Sequence, residues 1–114
     1  MNIHEITERA VQIRKKYDLL NMKSDVVWKE QDYMAGFVGD VGDLSKLVMR
    51  KQGLRGETPT DIDDKLAHEL ADCLWSVCVL ADMYGIDIEA GFLKTMQELE
   101  TGLDGKLLSS ATGV

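Results

Sequence analysis

Four acidic residues form two pairs with the same spacing. Asp40 and Asp43 are three residues apart, and so are Glu69 and Asp72. Side chains three residues apart project from one face of a helix, so each pair would present two carboxylates side by side. Carboxylates grouped in this way can bind a metal ion or take a proton from a reacting water. Either pair alone is also typical of a solvated helix face. Whether the two pairs form one site depends on where they lie relative to each other.

The segment between the two pairs has the composition of a connection between helices. Gly53, Gly56 and Pro59, which is the only proline, all lie within it. Glycine and proline interrupt helices and favour turns. We therefore predict one helix over residues 32–51 and the next over residues 61–84.

The two acidic pairs are equidistant from this connection. Asp43 lies eight residues before it and Glu69 eight residues after it, while Asp40 and Asp72 each lie eleven away. Equidistant positions lie at equal height in an antiparallel helical hairpin, so Asp43 should face Glu69 and Asp40 should face Asp72. Four converging carboxylates repel one another unless protons or cations neutralise them. Oxygen ligands favour a hard cation, so we expect Mg²⁺, with Mn²⁺ as a possible substitute.

Two glycines, Gly39 and Gly42, lie beside the first acidic pair. A glycine inside a helix costs ~1 kcal/mol relative to alanine, so two of them need a reason. Close approach of another helix or of a ligand is one such reason. Together with the matched register, the glycines favour a metal site over two unrelated solvated faces.

The rest of the sequence predicts an all-α protein. The 114 residues are 45% hydrophobic, contain one proline and show no alternating β pattern. Apolar residues at intervals of three or four predict two further helices, over residues 3–20 and 88–101. This length fits one domain, which we place at residues 1–101. Residues 102–114 are rich in Gly and Ser, and we expect them to form a flexible tail.

Charge and cysteine patterns exclude several classes of function. Residues 57–104 carry twelve acids and two lysines, a balance of −10 in a chain of net charge −7. Such an acidic segment argues against nucleic-acid binding. No apolar run approaches the ~20 residues that span a bilayer, and no signal peptide is evident, so we expect no membrane partner. Cys73 and Cys78 fit neither a redox motif nor a disulfide framework, and a cytoplasmic location follows as an expectation.

Two segments resemble the motifs of a known family. GDVGDL (Gly39 to Leu44) and ELADCLWSVCVLA (Glu69 to Ala81) are similar to the paired motifs GEVGEL and EL(S/A)DVL of the MazG-type all-α nucleoside triphosphate pyrophosphohydrolases. The resemblance extends over about residues 33–100. It implies a four-helix unit of the all-α NTP pyrophosphatase type, completed by homo-oligomerisation as a dimer or a dimer of dimers. It also implies hydrolysis of a nucleoside triphosphate to monophosphate and pyrophosphate.

The resemblance implies roles for particular residues. Lys94, on the fourth predicted helix, would lie near the substrate, although a salt bridge explains it nearly as well. Glu98 stands where relatives have an asparagine that helps to hold the nucleotide. The family usually has glutamates, one methylene longer, at the two positions of the first acidic pair. The implied metal ligands are Asp40, Asp43, Glu69 and Asp72.

The expected reaction is cleavage of the bond between the α and β phosphates. Bound Mg²⁺ would position the phosphates, neutralise their charge and activate a water molecule. Asp43 or Glu69 would take the proton of that water, since crowding by like charges raises the pKa of a carboxylate. Lys46 and Arg50 share the face of Asp43 and could hold the outgoing pyrophosphate, although solvated surface explains them equally well. Trp28 could stack on the base, but tryptophans in such segments more often pack on the core.

Other interpretations stay open. Trp75 fits the core or a dimer interface, and His68 is either a surface residue or a support for the metal ligands. A related activity is hydrolysis of phosphoribosyl-ATP. A catalytically weak or inactive helical interaction module would explain the two shortened acids. If the chain is active, clearing of non-standard or excess nucleotides is a possible role.

Overall fold

The computed structural model describes residues 1–111, which form four helices. They are α1 (Ile3–Met22), α2 (Glu30–Lys51), α3 (Ile62–Met83) and α4 (Ile88–Ala111). No strand occurs in this range, so the predicted all-α, four-helix fold is confirmed. None of these helices combines the length and the apolar character needed to cross a bilayer.

Local signals in the sequence explain where several helices begin and end. The side chain of Asn2 accepts a hydrogen bond of 2.9 Å from the backbone N–H of Glu5 and so caps α1. Gly85 takes a φ of 65° directly after α3, a conformation that favours glycine. Asp87 then caps α4 by accepting from the backbone N–H of Ala90 at 3.1 Å. The first three helices end within two residues of their predicted limits.

The last helix is longer than the sequence predicted. α4 continues ten residues past the expected end at Thr101, to Ala111. Gly102 and Gly105 do not interrupt it, because a single glycine costs only ~1 kcal/mol in a helix whose other residues form helix readily. Residues 112–114 of the expected tail lie outside the described residues. The division into a domain over residues 1–101 and a flexible tail over 102–114 stays a prediction.

The third helix is central. It pairs with α2 and also packs against α1, whereas α4 makes only a small contact with α1 and is exposed from Phe92 to Ser110. The main buried cluster is small and consists of Ala10, Tyr33, Cys78 and Val79, with Trp75 partly buried against them. Both cysteines are free thiols, Cys78 being buried and Cys73 half-buried.

The described chain is extended for its size. Its radius of gyration is 18.7 Å and its extents are 64 × 42 × 26 Å. A compact domain of this length would have a radius of gyration of about 13 Å. Large apolar side chains are correspondingly exposed, including Leu70 (55%) and Leu74 (49%) on α3. Four helices in this arrangement therefore leave much apolar surface unburied.

A polar and aromatic network joins the three helices of the core. The hydroxyl of Tyr33 donates a hydrogen bond of 2.6 Å to Asp18. Arg14 lies 3.3 Å from Asp18 and 3.5 Å from Asp82, and its guanidinium lies 5.8 Å from the centre of the Tyr33 ring. Trp75 packs edge-on against Tyr33 with ring centres 6.0 Å apart. Tyr33 therefore ties α2 to both α1 and α3.

Replacing Tyr33 with phenylalanine tests this network. Tyr33→Phe removes a hydrogen bond to a charged group and should lower the free energy of unfolding by about 1.5–3 kcal/mol at pH 7 in urea titrations. Burial, followed by the hydrogen bond to Asp18, raises the pKa of Tyr33 from 10.0 to about 12. The contribution of this group to stability is thus complete below about pH 10 and is lost as the pH rises through about 12.

An absorbance titration of the tyrosines should accordingly show a late ionisation step that Tyr33→Phe removes. Tyr84→Phe is the matched control, because Tyr84 is 64% exposed. Equal stability losses in the two variants would contradict the role given to Tyr33.

Candidate functional site

The four predicted carboxylates come together where α2 faces α3. Oxygens of Asp40, Asp43 and Glu69 lie within 4.8 Å of one another. A second group is formed by His68, Glu69 and Asp72. One possible ligand atom of each of these residues lies within 4.8 Å of the other two. Glu69 belongs to both groups, so all five residues form one carboxylate cluster. The hairpin register brings these acids together, and their role as metal ligands stays a prediction.

Burial and mutual repulsion raise the pKa of two carboxylates in the cluster. For Asp40 the largest cause is desolvation, followed by the charges of Asp72 and Asp43, with His68 acting in the opposite direction. The pKa of Glu69 is raised by desolvation and then by Asp72, Asp40 and Asp43. Asp40 and Glu69 therefore hold protons more tightly in the folded protein than in the unfolded chain. As the pH rises through the raised pKa values, both groups become charged and the free energy of unfolding falls. A bound cation would relieve the same repulsion.

One oxygen of the cluster has no partner. Oε2 of Glu69 is buried and makes no hydrogen bond within the described residues, although the side chain as a whole is only half-buried. A buried carboxylate oxygen without a partner costs free energy that a cation or a bound water would recover. Several carboxylate oxygens at short mutual distance are the donor set that Mg²⁺ and Mn²⁺ prefer. The residues present thus fit a divalent cation.

An aromatic cavity of about 670 Å³ opens beside Asp40 and Asp72. Trp28 lines it and also packs edge-on against Tyr33 with ring centres 5.2 Å apart, so this tryptophan both contacts the core and faces the cavity. Tyr17 and Trp75 add two further rings, 5.7 Å apart. The polar lining includes Asn21 and Ser76.

Sequence reasoning missed most of this aromatic lining. Trp75 follows Asp72 by three residues and shares its face of α3, which is a signal that could have placed it at the site. Tyr17 and Asn21 are four residues apart on α1, but nothing in their spacing shows that α1 packs beside the carboxylates. That contact depends on the packing of whole helices.

A cationic cavity of about 410 Å³ opens on the other side of the cluster, beside Asp43 and Glu69. Lys46 and Arg50 line it, as expected from their position on the face of Asp43. His68, Arg55 and Lys65 complete its polar lining, and sequence reasoning missed Lys65. Lys51 instead pairs with Asp63 across the connection at 2.7 Å. The carboxylate cluster therefore separates an aromatic cavity from a cationic one.

Two features that the sequence associates with the site are exposed in the described chain, and their roles there stay predictions. Lys94 lines neither cavity, because it lies in the part of α4, from Phe92 to Ser110, that is exposed throughout. A Cβ atom added at Gly39 or Gly42 would have no side chain and no backbone of another element within 4 Å. No other helix of the described chain therefore approaches these glycines, and the chain alone does not explain them.

A family model matches most of the chain. The model of the MazG nucleotide pyrophosphohydrolase domain matches residues 3–101, a range that includes the carboxylate cluster and both cavities. No curated protein and no solved structure matches the chain. Because the family match covers most of the sequence and the fold is all-helical, the chain belongs to the MazG nucleotide pyrophosphohydrolase domain family.

Proposed function

We propose that the protein is a Mg²⁺-dependent nucleoside triphosphate pyrophosphohydrolase that converts a (d)NTP to the monophosphate and pyrophosphate. One observation carries the proposal: the carboxylate cluster lies between the aromatic cavity and the cationic cavity. A nucleoside triphosphate has the same order of parts, with a base at one end and the outgoing phosphates at the other. Membership of the family supports this reaction, and clearing of non-standard or excess nucleotides is the role we propose for it.

The two cavities would hold the two ends of the substrate. In the aromatic cavity, Trp28 offers a ring for stacking on the base, and the amide of Asn21 offers both a donor and an acceptor. In the cationic cavity, Lys46 and Arg50 would neutralise the outgoing pyrophosphate. Arg55 strengthens that cavity with a further guanidinium. This placement orients the bond between the α and β phosphates toward the carboxylate cluster.

The carboxylates would hold the cation and activate the water. When bound, the cation supplies charge neutralisation and lowers the pKa of a coordinated water. Asp40, Asp43, Glu69 and Asp72 would be its ligands. We favour Glu69 over Asp43 as the general base, because one of its oxygens can bind the cation while Oε2, which is buried without a partner, accepts the proton of the water.

We further propose that the protein works as a homo-oligomer, either a dimer or a dimer of dimers. Leu70, Leu74 and Val77 form an exposed apolar stripe on α3 at intervals of four and three residues. Val38 and Val41 are exposed on α2 with similar spacing. A second copy packed on this hairpin would bury both stripes and could bring another helix to the open space beside Gly39 and Gly42.

A substrate panel tests the proposed reaction. The protein would be incubated with the common ribonucleotides and deoxyribonucleotides and with phosphoribosyl-ATP, in Mg²⁺ and separately in Mn²⁺. We expect at least one nucleoside triphosphate to yield pyrophosphate. Release from phosphoribosyl-ATP alone would favour the related enzyme, and no release in either metal would favour an inactive interaction module.

Replacing Trp28 tests the base site. Stacking on an aromatic side chain is worth about 1–3 kcal/mol per base, so Trp28→Ala should raise KM for the preferred nucleotide by about tenfold. The turnover number should change much less, since Trp28 does not belong to the carboxylate cluster. Val27→Ala is the control, because Val27 is adjacent and 74% exposed but does not line the cavity. An unchanged KM in Trp28→Ala would place the base elsewhere.

A further inference from the structure

A histidine lies within the carboxylate cluster. His68 precedes Glu69 on α3, and its Nε2 is 3.1 Å from Oδ2 of Asp72. The ligand atoms of these three residues all lie within 4.8 Å of one another. His68 also lines the cationic cavity together with Asp43. An imidazole nitrogen is therefore available at the point where the acids of α2 and α3 meet.

The second histidine of the chain shows what is particular to His68. His4 forms the same kind of contact on α1, with its Nε2 3.1 Å from Oε1 of Glu8, the same spacing of four residues and the same side-chain exposure of 72%. The contact distance alone is thus an ordinary pairing of histidine and acid along a helix. His4 belongs to no group of three possible metal ligands within the described residues, whereas His68 does. The two histidines therefore differ in their neighbouring carboxylates, and those around His68 favour a role for it as a metal ligand.

We propose that His68 is a nitrogen ligand of the divalent cation held by Glu69 and Asp72, and that it shifts the preference of the site from Mg²⁺ toward Mn²⁺. Adjacent ligands on an octahedral ion with bonds of about 2.1 Å are about 3 Å apart, so His68 and Asp72 can both reach one ion at their separation of 3.1 Å. Mg²⁺ takes oxygen ligands, whereas imidazole suits first-row transition ions. This inference rests on the proposed metal site and adds the identity of one ligand.

Pulsed electron paramagnetic resonance of the Mn²⁺-loaded protein tests the inference, because it detects nitrogen bound to Mn²⁺. We expect nitrogen coupling in the wild type and in His4→Gln, and none in His68→Gln. The affinity for Mn²⁺ should fall about tenfold in His68→Gln. The affinity for Mg²⁺, measured by competition, should change less than about twofold. His4→Gln is the matched control, and thermal unfolding of each variant confirms that it is folded.

Three results would overturn the inference. They are Mn²⁺ bound to the wild type without nitrogen coupling, coupling that persists in His68→Gln, and equal losses of Mg²⁺ and Mn²⁺ affinity. Pyrophosphate release in Mg²⁺ separates this inference from the proposed function. If the wild type releases pyrophosphate but shows no nitrogen coupling, the ligand assignment fails and the function stands. If Mn²⁺ does not bind, the ligand assignment fails. If the wild type also releases no pyrophosphate in Mg²⁺, the proposed function fails too.

Discussion

Glu69→Gln is expected to lower pyrophosphate release by about 10²–10⁴-fold, the usual contribution of a general base. Glu69 is shared by both ligand groups, and its Oε2 is buried without a partner. The amide cannot accept a proton from water and is a weaker cation ligand. Steady-state assays at saturating nucleotide and Mg²⁺ measure the effect.

The same substitution should leave the metal-free protein at least as stable as the wild type. Desolvation and three neighbouring carboxylates oppose the charged form of Glu69, so a neutral amide relieves repulsion. Mg²⁺ should raise the melting temperature of the wild type, because it binds only the folded state, but not that of Glu69→Gln. Glu100→Gln is the control, since Glu100 is exposed on α4 and lines neither cavity. Loss of activity accompanied by unfolding, or full activity in Glu69→Gln, would contradict the assignment.

Leu74→Asp should convert the proposed oligomer to monomers. Leu74 lies in the middle of the exposed apolar stripe of α3 and is 49% exposed in the single chain. A carboxylate buried in an apolar interface without a partner is strongly unfavourable, so the dissociation constant should rise at least about 100-fold. Sedimentation of wild type and variant over a range of concentrations measures the change.

A loop substitution provides the control for Leu74→Asp. Leu54 is 68% exposed in the connection between α2 and α3, so Leu54→Asp makes the same chemical change outside the helical stripe. We expect Leu54→Asp to keep the mass of the wild type. A monomeric wild type, or the same assembly in all three proteins, would contradict an interface at the stripe of α3.

The carboxylate cluster was predictable because its determinants are local. The spacing within each pair fixes the shared helix face, and the glycines and proline of the connection mark the turn. Equal distances from that turn then place Asp43 and Glu69 at one height, and the structure groups them within 4.8 Å. Among the neighbouring charges, that of Asp72 raises the pKa of Asp40 most. This agrees with the expected pairing of Asp40 with Asp72.

Features that depend on the packing of whole helices were not predictable in the same way. The aromatic cavity needs α1 beside α3, and no spacing within α1 reveals that Tyr17 and Asn21 face the acids. Gly102 and Gly105 predict an irregular tail, but α4 continues through both of them to Ala111. The resemblance places Lys94 near the substrate, whereas in the structure it lies on an exposed part of α4.

The position of bond cleavage is the most direct test of the proposed reaction. Phosphorus NMR would follow the preferred nucleoside triphosphate with the wild-type protein and Mg²⁺. We predict that nucleoside monophosphate and pyrophosphate appear together in equal amounts. Formation of nucleoside diphosphate and orthophosphate, or no reaction of any nucleotide in the panel, would contradict a nucleoside triphosphate pyrophosphohydrolase.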